Sequence, residues 1–365
     1  MDTYRPLPGT PIQELDTPCL MVDLDAVENN FSAVADMFRD SSAKMRQHTK
    51  NIKSPRLARM QIDYGGTVGG VCTAKLAEAE VMVEGGVTDV LIANQVADRE
   101  KIIRLCALVR RADVKICVDS QKNVLDISEI ATAQGVEIGV AIEVDTSMGR
   151  AGVRSKEEGV ALAKLADSLP GIKFLGVMSH QHLEEFTGNE NRLLTAMGYY
   201  EICLGVRKAI EEAGIQASFI SSGETFSYDA AIQTGEPIEV EGGTYALMGT
   251  RYSYMEEFEV ANKILSTVIS RPRPGVVIGD VGTRAASCTP VDPTVENMPG
   301  VTVDRILDNH IVLNTDDANE LKVGDKFVLL PDYQDMLVNR WDQYVAVRKG
   351  FVEEVWDIPG RGCYH

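Results

Sequence analysis

The sequence lacks the marks of several protein classes. No stretch approaches the roughly 18 consecutive apolar residues of a membrane-spanning helix, so no such span is expected. The opening residues, MDTYRPLPGTPIQELDTP, contain neither the basic region nor the apolar region of a secretory leader, and a cytoplasmic location is expected. Positive charge is scarce: 36 Lys and Arg stand against 54 Asp and Glu, a formal net charge of −18. That balance argues against nucleic acid or an anionic membrane as a partner held by bulk charge. The seven cysteines (Cys19, Cys72, Cys106, Cys117, Cys203, Cys288 and Cys363) are odd in number, scattered and never spaced CxxC. Neither a disulfide framework nor a cysteine zinc site is written in that pattern, and a reducing compartment follows.

What is present is a folding chain. With 44% hydrophobic and 25% charged residues over 365 positions, the composition suits roughly two domains, or one barrel with an appendage. From Thr17 to about Met248, short β-rich apolar runs alternate with segments of helical period, the pattern of parallel strands joined by crossover helices. Strands are expected at Lys44–His48, Gly69–Cys72, Asp89–Ala93, Val114–Val118, Glu137–Val144, Phe174–Met178 and Ser218–Ser221, with a last one between Ile238 and Met248. Helices lie between them, and several end at glycine (Gly85, Gly135, Gly171, Gly214). Eight such units predict a (β/α)₈ barrel over residues 26–262. After Asn262, short alternating runs separated by Pro and Gly turns predict an antiparallel β domain, formed by residues 1–25 plus 263–365.

In such a barrel the reactive groups sit just past the C-terminal ends of the strands. The first strand runs into Lys50, which either closes the strand as a surface charge or forms a Schiff base, its pKa lowered by Arg46 and Lys53. The fifth ends in Glu143, Asp145 and a glycine-hinged Arg150, which reads equally as a site or a salt-bridged loop. The sixth places two of the five histidines together, His180 and His182, for function or for packing. The seventh enters Ser222-Gly223-Glu224-Thr225 and the eighth Gly242-Gly243-Thr244-Tyr245. Small residues there make either plain turns or a phosphate cradle of backbone N–H groups, and adjacent turns after strands seven and eight are where many barrels hold phosphate.

Taken together, these strand ends resemble the fold-type III pyridoxal-phosphate enzymes, the alanine racemase-like group, and within it the D-threonine aldolase and D-serine dehydratase family. The likeness runs through Asp16-Thr17-Pro18, Arg46-x-His48-x-Lys50, Lys75-Leu76-Ala77-Glu78, Glu143-x-Asp145-x-x-Met148-x-Arg150-x-Gly152, Gly223-x-Thr225, Gly243-Thr244-Tyr245 and Asp280-x-Gly282. It implies pyridoxal 5'-phosphate on Lys50, with Arg150 near the phenolic oxygen of its ring. Gly223, Thr225, Gly243, Thr244 and Tyr245 would hold the phosphate. Gln181-His182-Leu183 resembles the segment whose histidine deprotonates the substrate's β-hydroxyl, making His182 the candidate base. The implied reaction is retro-aldol cleavage of a D-configured β-hydroxy-α-amino acid to glycine and an aldehyde. The alternatives are D-serine or D-3-hydroxyaspartate dehydration, racemisation, or cofactor binding without catalysis. A homodimer and a small amino-acid substrate are implied as well.

The chain departs from that pattern in places. Gln47, Asn51 and Ile52 stand where relatives usually have Pro, Thr and His, and Arg284 where they often have Lys. Aldolases of the family hold a divalent metal with His-x-Asp near the C-terminus and dehydratases with His-x-Cys, whereas this chain has Tyr333-Gln334-Asp335. The metal ligands so implied are Asp335 and Tyr333, with His310 as a nitrogen donor from a neighbouring turn. Oxygen donors favour a weakly held hard ion, manganese or magnesium, over zinc.

Overall fold

The computed structural model describes residues 4–183, 189–287, 291–316 and 321–365, so Cys288 lies outside the described residues. The chain divides into two compact units. One comprises residues 34–50, 54–243 and 363–365, and the other residues 1–33, 51–53 and 244–362.

The elements begin with β1 (Cys19–Asp23) and α1 (Leu24–Met37), followed by β2 (Lys44–His48), α2 (Pro55–Tyr64), β3 (Thr67–Thr73), α3 (Leu76–Glu84) and β4 (Asp89–Ile92). Next come α4 (Arg99–Val109), β5 (Asp113–Val118), α5 (Gln121–Gln134), β6 (Ile138–Glu143), α6 (Lys156–Ser168), β7 (Ile172–Ser179), α7 (Asn189–Glu212), β8 (Phe219–Ser222), α8 (Tyr228–Thr234) and β9 (Glu239–Val240). Strands β2 to β9 close a parallel barrel, with β9 returning to β2 through the pairs Lys44/Glu239 and Met45/Val240. The helices start where the sequence supplies a cap. Side chains of Ser54, Asp98, Ser120 and Ser155 accept the N–H of the third helical residue in α2, α4, α5 and α6.

Small and flexible apolar side chains fill one layer of the barrel interior: Leu91, Cys117, Ala141 and Met178. Below it the fully buried Arg46 donates to Glu239 at 2.6 Å and to Asp89 at 2.9 Å, while Lys115 reaches Asp89 at 3.0 Å. Two carboxylates around one guanidinium offset the cost of burying its charge.

The other unit is a β sheet built from β1 and from β10 (Asn262–Arg273), β11 (Val276–Gly279), β12 (Thr294–Val295), β13 (Val301–Ile306), β14 (Ile311–Thr315), β15 (Lys326–Leu330), β16 (Gln343–Arg348) and β17 (Phe351–Asp357), together with the first part of α1 and the short helix α9 (Gln334–Val338). The order is β13-β14-β11-β10-β1-β16-β17, with β15 also paired to β10 and β12 to β15. Its pairs are antiparallel except one, β1 with β16. Leu15, Cys19, Met21, Leu265, Val345, Val347 and Val352 make a core cluster of this unit.

The last barrel strand falls inside the expected interval, 238–248. It is only Glu239–Val240, because the chain turns at Gly242-Gly243 and then enters a single 3₁₀ turn, Thr244–Ala246. The compact units divide at 33/34 and 243/244. Tyr245 packs its ring on Phe31 and Phe258, with centroids 6.3 and 5.7 Å apart, and Asn30 donates to Glu259 O at 2.9 Å, so residues 244–261 go with the sheet unit. Among the described residues no helix is long and apolar enough to cross a membrane.

Candidate active site

Within the barrel unit the strand ends bring most of the predicted residues into one region. Lys50 stands half-buried in the 3₁₀ turn Thr49–Asn51 that ends β2, and its backbone N–H donates to His48 Nδ1 at 3.3 Å. His48, itself buried, donates its backbone N–H to Gly242 O at 2.8 Å. The lysine turn is therefore bonded directly to the turn after β9.

Glu143, at the end of β6, is buried, and burial pushes its carboxyl above the usual range. It accepts from Gln95 Nε2 and pairs with the largely exposed Arg150 at 3.6 Å. The loop carrying Arg150 closes on itself: Asp145 N–H donates to Val153 O at 3.0 Å, Val153 N–H to Glu143 O at 2.9 Å, and Gly149 N–H to Asp145 Oδ1 at 3.0 Å.

The segment after β7 is anchored from two neighbouring loops. Thr146 Oγ1 donates to His180 O at 3.1 Å, His182 N–H donates to Ser147 Oγ at 3.0 Å, and Leu183 N–H donates to Glu224 Oε1 at 2.9 Å. His182 is exposed at the mouth. His180 is half-buried, and desolvation, followed by the charges of Lys50, Arg150 and His182, lowers its pKa to about 3. It is a neutral imidazole at any working pH. Lys50, Arg150 and His182 are thus each within electrostatic reach of His180. Between the histidines, Gln181 is 1% exposed, and neither its Oε1 nor its Nε2 has a hydrogen-bond partner among the described residues.

The two small-residue turns also meet. A Cβ on Gly242 would stand 2.5 Å from Met45 Sδ and 3.3 Å from Thr225 Oγ1. Gly223 has φ +92°, and a Cβ there would come within 2.1 Å of Tyr200 Oη and 2.7 Å of Ser227 Oγ, so only glycine fits. Tyr200 and the buried Arg192, both from α7, secure this corner. Tyr200 Oη lies 3.1 Å from Ser227 Oγ, and Arg192 donates to Phe226 O and pairs with Asp229 at 2.6 Å. Thr244 and Tyr245 follow Gly243 in the chain but belong to the sheet unit, where Tyr245 is fully buried and Gln334 Nε2 donates to Thr244 O at 3.5 Å.

In the barrel interior Glu241 is fully enclosed. Ser221 Oγ donates to it at 2.8 Å and Cys72 Sγ at 3.6 Å, and burial raises its pKa to about 7. Sequence reasoning read residues 241–245 as a turn and missed this carboxyl, as it missed Arg192 and Tyr200. The signal available was the glutamate directly before two glycines at a strand end.

In the sheet unit, Asp335 begins α9 and accepts from Asn51 Nδ2 and, at 2.9 Å, from Tyr333 Oη. His310 is exposed in the turn between β13 and β14. Among the described residues no group of three or more His, Cys, Asp and Glu side chains is placed to share a metal ion.

A closed parallel barrel with a lysine after its first strand, an arginine after its fifth and paired small-residue turns after its last two defines an alanine racemase-like protein. The chain belongs to that family, matching the alanine racemase N-terminal domain over residues 22–236 and the serine dehydratase domain over residues 261–347. It is 35% identical to the 3-hydroxy-D-aspartate aldolase of Paracoccus denitrificans, across 98% of this chain and 95% of that protein. The crystal structure of D-threonine aldolase from Filomicrobium marinum superimposes with a TM-score of 0.94 at 30% identity, covering 99% of this chain and 100% of that one. D-threo-3-hydroxyaspartate dehydratase from Delftia sp. HT23 does so with a TM-score of 0.86 at 25% identity, covering 95% and 98%. The alanine racemase-like and D-threonine aldolase families are pyridoxal-phosphate-dependent.

Proposed function

We propose that this chain is a pyridoxal-phosphate lyase that cleaves a D-configured β-hydroxy-α-amino acid between Cα and Cβ, releasing glycine and an aldehyde. The observation that carries the reading is the grouping of Lys50 with Arg150, His180 and His182 at the barrel mouth, in a chain resembling two D-amino-acid aldolases along nearly its whole length. The residues present fit the cofactor. Gln181 offers buried, unpartnered amide atoms beside the histidines, and the turns at Gly223 and Gly242 bring backbone close to Thr225. Lys50 would hold the cofactor covalently and Arg150 would lie near its phenolic oxygen. Gly223, Thr225 and Gly243, with Thr244 and Tyr245 next in the chain, would hold its phosphate.

When bound, pyridoxal phosphate supplies a sink for the electron pair released as a bond to Cα breaks. His182 accepts the β-hydroxyl proton, the carbonyl of the aldehyde forms as the Cα–Cβ bond breaks, and a proton delivered to Cα completes glycine. Glu143 holds Arg150, and the loop closed by Asp145 and Val153 restrains the arginine's approach. His180, kept neutral by burial, adds no charge beside Lys50. Asp335 and Tyr333 do not fit the implied manganese or magnesium ion, since both carboxylate oxygens already accept hydrogen bonds, and no step is given to a cation.

Dehydration is the second reading, favoured by the likeness to the Delftia dehydratase, and in it Lys50 removes the Cα proton as hydroxide leaves Cβ. Assay of D-threonine and D-3-hydroxyaspartate should yield glycine and aldehyde. A 2-oxo acid with ammonia as the sole products would transfer the assignment to the second reading. Borohydride reduction followed by peptide mapping should find the pyridoxyl group on Lys50, and Lys50→Ala should lose the visible absorbance. The reading includes a cytoplasmic homodimer. None of the six described cysteines is in a disulfide, which suits a reducing compartment, and light scattering should give twice the chain mass.

A further inference from the structure

Three consecutive residues after Lys50 are each tied into the sheet unit. Asn51 Nδ2 donates to Asp335, Tyr344 Oη donates to Ile52 O at 2.9 Å, and Gly360 N–H donates to Lys53 O at 3.0 Å. Lys53 takes the left-handed φ of +49°, so this stretch makes a sharp bend and is not a passive link. The side-chain acceptor in that set is Asp335, whose second oxygen takes the Tyr333 hydroxyl. Burial, with the charge of Asp335 next in order, raises the Tyr344 phenol above its ordinary value, and it stays a donor.

The same cluster is unsuited to a cation on its own chemistry. A metal at Asp335 would gain only a phenol with an ordinary pKa of about 10 as its second ligand, and among the described residues no group of three or more His, Cys, Asp and Glu side chains is placed to complete its shell. The Arg251 guanidinium, paired with Asp332 at 3.0 Å, stands 5.8 Å from the centre of the Tyr333 ring and supplies positive charge there already.

We propose that Asp335 is a positioning residue: through Asn51 it fixes the turn that carries Lys50, and with its oxygens so engaged it takes up no divalent cation. This rests on the reading of Lys50 as the cofactor lysine. The holoenzyme is dialysed against EDTA, its metal content measured by mass spectrometry and its uptake of Mn²⁺ by electron paramagnetic resonance. Separately, apoprotein is titrated with pyridoxal phosphate and followed by absorbance. Wild type should hold and take up no stoichiometric metal. Asp335→Ala should weaken cofactor loading about tenfold, the effect of losing one hydrogen bond to a charged group, with circular dichroism unchanged. Asp335→Asn, which keeps an acceptor oxygen, should recover part of that loss. If Asp335→Ala fails to fold, Asn51→Ala tests the same bond from the other side. Stoichiometric Mn²⁺ or zinc in wild type that is lost in Asp335→Ala would overturn the proposal, as would cofactor loading unchanged in both alanine variants. A pyridoxyl group mapped to another lysine would instead overturn the assignment of Lys50 and leave the metal result standing.

Discussion

Glu241 gives the fold a pH dependence that can be worked out in advance. Burial raises its pKa from 4.5 to about 7, with Ser221 and Cys72 opposing through hydrogen bonds, Glu143 adding to the rise and Arg46 countering it. The neutral acid is thus the form the folded barrel prefers. Below pH 4.5 both folded and unfolded chains carry the proton and this group is neutral to stability. Between 4.5 and 7 the folded chain holds about one proton more than the unfolded one, and stability falls by about 1.4 kcal/mol per pH unit. Above pH 7 the loss levels off at about 3 kcal/mol. Glu241→Gln keeps the shape and an acceptor for Ser221 but cannot ionise, so it should escape that loss. Over 365 residues unfolding together, about 3 kcal/mol corresponds to about 4 °C in melting temperature. Differential scanning calorimetry of both proteins from pH 5 to 8.5 isolates the effect, because every other titrating group is common to the pair. The variant's advantage should grow from about 1 kcal/mol at about pH 5 to its full size above about pH 7. A difference between the two proteins that does not change with pH would refute the reasoning.

Two further outcomes follow from the site. Gly223→Ala must place a methyl 2.1 Å from Tyr200 Oη at a left-handed φ, and should cost about 3 kcal/mol, read by urea denaturation. His182→Asn should lower kcat by about 10²- to 10⁴-fold while cofactor loading stays unchanged, and a kcat within a few-fold of wild type would remove His182 from the base role.

How much of this was legible depended on whether the determining contacts were local. Strands β2, β4, β5 and β6 could be read because each runs ahead of a capped helix, and Ser54, Asp98, Ser120 and Ser155 mark those starts with residues three positions from the groups they satisfy. The pairing of β1 with β16 joins Met21 to Val345, and no local pattern announces a partner so far along the chain. The meeting of Tyr245 with Phe31 and Phe258 is equally invisible to local pattern. At the site, Lys50, Arg150 and the histidines stood out as unusual residues at strand ends. Glu241 stood in equally plain view, but its meaning comes from Ser221 and Cys72, brought from two other strands.

Those distant contacts bear on how a chain of net charge −18 can receive a dianionic phosphate. The global field opposes such a ligand, so the local field must favour it. The acidic groups in the barrel are neutralised in place. Arg46 binds Glu239 and Asp89, Lys115 adds a second cation at Asp89, and Glu241 is held near the midpoint of its titration at neutral pH. At the mouth, Arg150 pairs with Glu143, whose carboxyl is itself driven toward the neutral form by burial. Lys50 contributes its charge beside a histidine that has none. Replacing Arg46 would take from Glu239 its cation and leave Asp89 with Lys115 alone, adding uncompensated negative charge to the barrel interior, so the guanidinium serves the sign of the local field as well as the stability of the barrel.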